Sequence, residues 1–143
     1  MTTFVVDASV GAKWASPEII EPLAGRAARF LRAYVDGSIQ ILVPDLFWLE
    51  IASFLSKAAK RGEITSVLAR HALIAMLNRD FPTVPSRSVL PEAFKIAANC
   101  DRTIYDSTYV ALAVATGNEL ITADERLVNA LGSRFPIRWL GVF

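Results

Sequence analysis

The chain has 143 residues, a length that suits one domain, with 53% apolar residues and a mean hydropathy of +0.38. No apolar run approaches the ~18 residues that span a bilayer, and the opening "MTTFVVDASV" lacks a basic n-region and already carries Asp7, so neither a membrane span nor a secretory signal is expected. Fifteen Lys and Arg against 14 Asp and Glu leave a net charge of +1, too little for a strong field toward nucleic acid. Eleven of the 15 cations are Arg, the better residue for bidentate phosphate contact. The expectation is a soluble cytoplasmic protein whose surplus apolar surface is covered by a second copy or a partner.

In chain order, "TFVVDAS" (3–9) reads as a buried parallel strand ending in an acid. A short helix follows, from Ala8 to Trp14. Pro17, Glu18 and Glu21 open a helix that runs through "AARFLRAYVDG", with Gly37 as its C-terminal cap. "IQILVP" (39–44) is a second strand. Pro44 and Asp45 supply the turn and cap of a helix running to Gly62. Thr65 or Ser66 caps another over 65–80. "TVPS" (83–86) is a short third strand, and "VLPEAFKIAANC" (89–100) a helix opened by Pro91. "TIYDSTYVALAVATG" (103–117) is an apolar helix closed by Gly117. "ELITAD" (119–124) is a fourth strand, "ERLVNAL" a helix and "IRWLGV" (137–142) a last strand. Strands alternating with helices predict an α/β fold, a short, mostly parallel sheet flanked by helices. Such sheets bind ligands beyond the carboxyl ends of their strands.

Cys100 stands alone, so no disulfide or cysteine-held zinc is available, and its expected role is a small buried apolar residue. His71, the single histidine, lies on a helical pattern and reads as structural or surface. Any metal must therefore be held by carboxylates. Asp7 ends the first strand, Asp124 ends the fourth, Asp106 begins the apolar helix, and Glu50 lies early in the helix after the second strand. All four fall at one edge of the predicted sheet. Each also has an ordinary reading: Asp7, Asp106 and Asp124 as helix caps, Glu50 as one of a polar stripe with Ser53, Lys57 and Lys60. Together they bring like charges to one edge with no obvious fixed cation, which raises pKa values unless a cation sits between them. Oxygen donors without His or Cys suit Mg²⁺ or Mn²⁺, which activate water for attack on a phosphodiester.

The stretches "FVVDASV", "LFWLEIAS", "IYDSTYVALA" and "LITADERL", in this order and at these separations, resemble the PIN-domain ribonucleases, in particular the VapC-type toxins of toxin–antitoxin modules, across essentially the whole chain. The resemblance implies a three-layer α/β/α fold over 1–143 and a metal-dependent endoribonuclease. By position, Asp7, Glu50, Asp106 and Asp124 form its acidic pocket. Asp7 and Asp106 are the direct metal ligands, with Asp124 and Glu50 acting through water or orienting the nucleophile. Ser9 and Thr122 support the carboxylates, and the family's ion is Mg²⁺, with Mn²⁺ as substitute. It also implies an RNA substrate, a cognate antitoxin and a homodimer. Arg102 and Arg126, near the proposed ligands, are candidates for RNA phosphate contact as against surface ion pairing, and Trp14, Trp48 and Phe54 for an antitoxin groove as against plain core. Three other readings compete with this one. A haloacid-dehalogenase-type phosphatase needs a second Asp where Ser9 stands. A receiver domain needs an acidic pair that "VVDASV" lacks. A catalytically inactive PIN-like scaffold that binds RNA or protein is the alternative from outside the enzymes.

Overall fold

The structure, a computed structural model, describes residues 1–17, 19 and 22–143. Its frame is a sheet of strands β1 (Thr2–Val6), β2 (Ile39–Pro44), β3 (Thr83–Val84), β4 (Glu119–Thr122) and β5 (Ile137–Trp139), in the order β3-β2-β1-β4-β5. Every pairing is parallel, with Phe4 opposite Ile41 and Val6 opposite Ile121. β1 sits at the centre. Its Phe4, Val5 and Val6 are all buried, the continuous apolar run that a strand covered on both faces requires. After β3 the chain returns to the other side of β1. The order therefore reverses between β1 and β4, and this is the switch point at which such sheets open a crevice.

Helices α1 (Ala8–Ala15), α2 (Ala24–Val35), α3 (Leu46–Lys60), α4 (Ser66–Arg79), α5 (Leu90–Cys100), α6 (Ile104–Thr116) and α7 (Glu125–Leu131) flank the sheet in a three-layer α/β/α arrangement. α6 packs on β1, β2 and β4 and pairs with α5, while α1 packs on α2, α3 and α4. This explains why α6 is apolar almost all round: residues 107–113 are every one buried. Gly117 ends it with φ at +69°, which only glycine adopts freely, and Gly37 closes α2 in the same way at +81°. No described helix is long and apolar enough to cross a membrane.

Several boundaries differ from the sequence reading. β1 stops at Val6 because Asp7 already caps α1. The described part of α2 begins at Ala24, after Leu23 in the left-handed region. Pro17 lies in a turn, and the expected start at Glu18 and Glu21 falls outside the described residues. Asp45 does not cap α3. Its carboxylate instead accepts from the amide of Ser86 at 3.0 Å and from the Ser86 hydroxyl, clasping the end of β2 to the segment after β3. That clasp holds the Asp45 carboxyl below its usual range. β3 is cut to two residues because Pro85 has no amide for the ladder and a 3₁₀ turn, Ser86–Val89, follows. β4 ends at Thr122 rather than 124. The last strand ends at Trp139, and Leu140–Val142 forms a 3₁₀ turn in which Gly141 lies under the Trp139 ring. Thr65 caps α4 as expected, His71 is exposed on it, and Cys100 is a half-buried free thiol ending α5.

Gly11 sets the distance between α1 and α3. A Cβ there would lie 2.6 Å from Phe47 Cζ and 2.8 Å from Ile51 Cδ1, both residues wholly buried. Gly11→Ala is expected to cost about 1–3 kcal/mol through overpacking, outweighing the gain in helix propensity of about 1 kcal/mol. The readout is a melting temperature lowered by several degrees.

Candidate metal centre

Asp7 leaves the carboxyl end of β1 and caps α1, its side chain accepting from the Ser9 amide at 3.1 Å and from the Ser9 hydroxyl. Ser9 Oγ in turn accepts the Ala123 amide at 2.9 Å and lies 3.3 Å from Thr122 Oγ1. The Thr122 hydroxyl, like that of Ser9, also supports the Asp7 carboxylate. Thr122 Oγ1 also accepts the Asp124 amide at 3.0 Å. Two hydroxyls thus bolt the carboxyl end of β1 to that of β4 and fix Asp7 and Asp124 on either side of the switch point. Asp124 caps α7, accepting from the Arg126 amide at 3.0 Å.

The two remaining acids reach the same edge from helices. Asp106 is in the first turn of α6, but it does not cap it: Thr103 does, accepting the Asp106 amide at 3.0 Å. The Asp106 side chain, supported by the Thr103 hydroxyl, lines the cleft. Glu50, half-buried near the start of α3, accepts the Tyr109 hydroxyl at 2.7 Å. The sequence reading missed Tyr109. Its signal was the spacing of three from Asp106, which puts both on one face of α6. Arg102 and Arg126 line a cleft of about 220 Å³ together with Asp101, Thr103, Asp106 and Asp124. Trp14, Trp48 and Phe54 are not brought together in one groove among the described residues. Trp14 and Trp48 both pack on the buried Phe81 ring, whereas Phe54 lines a separate cleft between α1 and α3.

The electrostatics make Asp106 the hub. Asp7, only 6% exposed, is pushed up to about 6, first by burial and further by Asp106. The Ser9 and Thr122 hydroxyls and the amide of Val10 in α1 act against the rise. Glu50 is raised by burial and by Asp106, against the Tyr109 hydrogen bond. Asp106 itself is raised by burial and by Asp124, with Arg102 and Thr103 opposing. The buried Tyr109 phenol, facing Glu50, stays protonated and acts as a donor. None of the four acids has an ion-pair partner within 4.0 Å among the described residues. Carboxylates that raise each other's pKa, with oxygen donors only, fit a hard divalent cation. Among the described residues, no three such side chains are already drawn together tightly enough to hold a metal. Mg²⁺ takes only one or two carboxylates and keeps several waters, so it does not require such a group of three.

Comparison with known proteins adds four findings. A family model for the PIN domain matches residues 4–131. Ribonuclease VapC3 of Pyrobaculum aerophilum is 34% identical over 135 residues, 92% of this chain and 94% of that protein. In fold, the chain is similar to a crystal structure from Pyrobaculum aerophilum, with a TM-score of 0.66 at 20% identity over 99% of this chain and 85% of that one. A toxin–antitoxin complex from Klebsiella pneumoniae gives a TM-score of 0.60 at 14% identity, covering 96% of each chain.

Ionising Asp7 in the metal-free protein opposes folding, since its folded pKa of about 6 lies above its ordinary value of 3.8. The cost is absent below about pH 4, where the group is protonated in both states, and grows to its full value above pH 6. A shift of this size corresponds to about 3 kcal/mol at most. Asp7→Asn keeps a capping side chain, so it is expected to raise the melting temperature at pH 8 in EDTA and to lose that advantage at pH 4.

Proposed function

Because the chain belongs to the PIN-domain family, we propose that it is an endoribonuclease that cuts RNA phosphodiesters with the help of a carboxylate-held divalent ion, and that it is the toxin of a toxin–antitoxin pair. The observation that carries this reading is the convergence of four acids at the switch-point edge, Asp7 and Asp124 fixed by the Ser9–Thr122 network, Glu50 held by Tyr109 and Asp106 lining the cleft with Asp124. Asp7 and Asp106 would hold the ion directly, while Asp124 and Glu50 would engage it through water or orient the attacking water. Mg²⁺ is the expected ion, with Mn²⁺ as substitute, and when bound it polarises the phosphoryl oxygen and activates water. Ser9 and Thr122 keep the Asp7 carboxylate ionised and aimed at the crevice. Tyr109 occupies one oxygen of Glu50 and leaves the other for water. Arg102 and Arg126 would meet RNA phosphates beside the scissile bond.

Supporting the ribonuclease and toxin readings are the VapC3 ribonuclease at 34% identity and the similarity of fold to the toxin–antitoxin complex, whose partner protein corresponds to an expected antitoxin here. A homodimer fits the surface. Leu49 and Tyr105, 72% and 56% exposed, line an apolar cleft of about 430 Å³ with Leu46, Leu90 and Ile104. The whole of 1–143 would act as one PIN domain.

Purified protein free of any partner is expected to cut total RNA into discrete fragments with Mg²⁺ or Mn²⁺, and neither in EDTA nor as Asp7→Asn. Absence of cleavage together with absence of Mn²⁺-induced thermal stabilisation would overturn the reading in favour of an inactive scaffold. In light scattering, the unsubstituted chain should give the mass of a dimer and Leu49→Arg that of a monomer; a monomeric unsubstituted chain would remove the dimer.

A further inference from the structure

A second cleft, about 370 Å³, runs between α1 and α3 and is lined by Ser9, Glu50, Ser53, Phe54, Lys57 and Arg61, over a floor of alanines. Its inner end is the acid cluster, because Ser9 holds Asp7 and Glu50 belongs to the cluster. Its outer end is basic. Lys57 and Arg61 are one helical turn apart on the same face of α3 as Glu50, Ser53 and Phe54. At 1.5 Å per residue they lie about 10 and 16 Å along the helix from Glu50. Lys57 is exposed and makes no ion pair among the described residues. Arg61 pairs with Glu63 at 2.7 Å, both on the surface, a contact weak enough to exchange for a phosphate. The other two acids of the cluster, Asp106 and Asp124, line a different cleft, the one that holds Arg102 and Arg126.

Resting on the endoribonuclease reading, we propose that the α1–α3 cleft is the track for one flank of a single-stranded RNA. Its backbone phosphates are met by Lys57 and Arg61 and a base stacks on Phe54, so that the strand crosses the carboxylates toward Arg102 and Arg126. Negative charge at the inner end excludes a free phosphate there. Positive charge only at the distance of the next few nucleotides positions the chain and leaves the scissile group to the metal-binding edge. Phe54, half-buried beside Lys57, offers the aromatic face that sequence-tolerant single-strand sites combine with a basic groove.

The test is equilibrium binding of an end-labelled, mixed-sequence single-stranded RNA oligonucleotide to the full-length chain. It is read by anisotropy at several salt concentrations in an Asp7→Asn background, with Mg²⁺ and again in EDTA. Lys57→Ala is expected to weaken binding several-fold and to reduce the slope of log affinity against log salt by about 0.7, the contribution of one single-strand phosphate contact. Lys57→Ala with Arg61→Ala should reduce the slope by about twice that, and Lys57→Arg should restore it. Phe54→Leu should weaken binding about tenfold with the slope unchanged. Arg29→Ala, on the exposed face of α2, is the control for general charge loss and should change neither. These positions are on the surface or half-buried, and melting curves verify folding of each variant. RNA binding with an unaltered slope in Lys57→Ala and in the double variant overturns the track and assigns the cleft to a protein partner. Failure of the Asp7→Asn chain to bind RNA at any salt, with no cleavage by the unsubstituted chain, overturns the nuclease reading and the track together.

Discussion

The structure depends on the cost of keeping the Asp7 charge inside the protein. A carboxylate that is 6% exposed survives only where donors replace the water it lost. Here the donors come from the two elements it must be held against: Ser9 on α1 and Thr122 at the end of β4. Satisfying one charge therefore fixes the relation of β1, α1 and β4. The same hydroxyls receive the amides of Ala123 and Asp124, so the turn that delivers Asp124 is set by the network that delivers Asp7. Those donors do not fully offset the burial of the charge, and Asp106 adds to the rise; a cation at this edge would relieve both.

The sheet order gives this arrangement its site. Because β1 is central and the chain reverses around it, two strand ends and two helix beginnings meet at one edge. Three acids couple to Asp106 although they come from distant parts of the chain. Basic residues make no ion pair with the acids among the described residues but share their clefts, Arg102 and Arg126 with Asp106 and Asp124, Lys57 and Arg61 with Glu50. A substrate that is a chain of regularly spaced negative charges matches that alternation better than a compact anion does.

Much of this was legible before the structure. Strands β1, β2 and β4 are short apolar runs closed by polar residues, and α6 is bounded by Thr103 and Gly117, so local signals sufficed. The edge on which the four acids lie followed from strand–helix alternation alone. What was not legible was long-range pairing. Asp45 sits where a cap is expected, yet it serves Ser86, 41 residues away. Thr103 outcompetes Asp106 for the same capping role, which depends on φ and ψ rather than on composition. Tyr109 looked like one more apolar residue of a buried helix until its hydroxyl was seen to end on Glu50, 59 residues earlier. Trp14 and Trp48 were separated from Phe54 by the position of Phe81, which no periodicity reveals. Asp7 and Asp124 both cap a helix, and that capping does not remove them from the acid cluster, since each still acts on or is acted on by Asp106.

The capping of α6 by Thr103 has an evolutionary consequence. Asp7 and Asp124 are each tied to a helix start, so their loss is felt in the architecture as well as in the charge of the crevice. Asp106 bears no such burden, since the helix it stands on is begun by its neighbour's hydroxyl. A lineage under pressure to silence the cluster while keeping the scaffold would find its least disruptive route at this position, and inert paralogues of such a chain should have diverged there first.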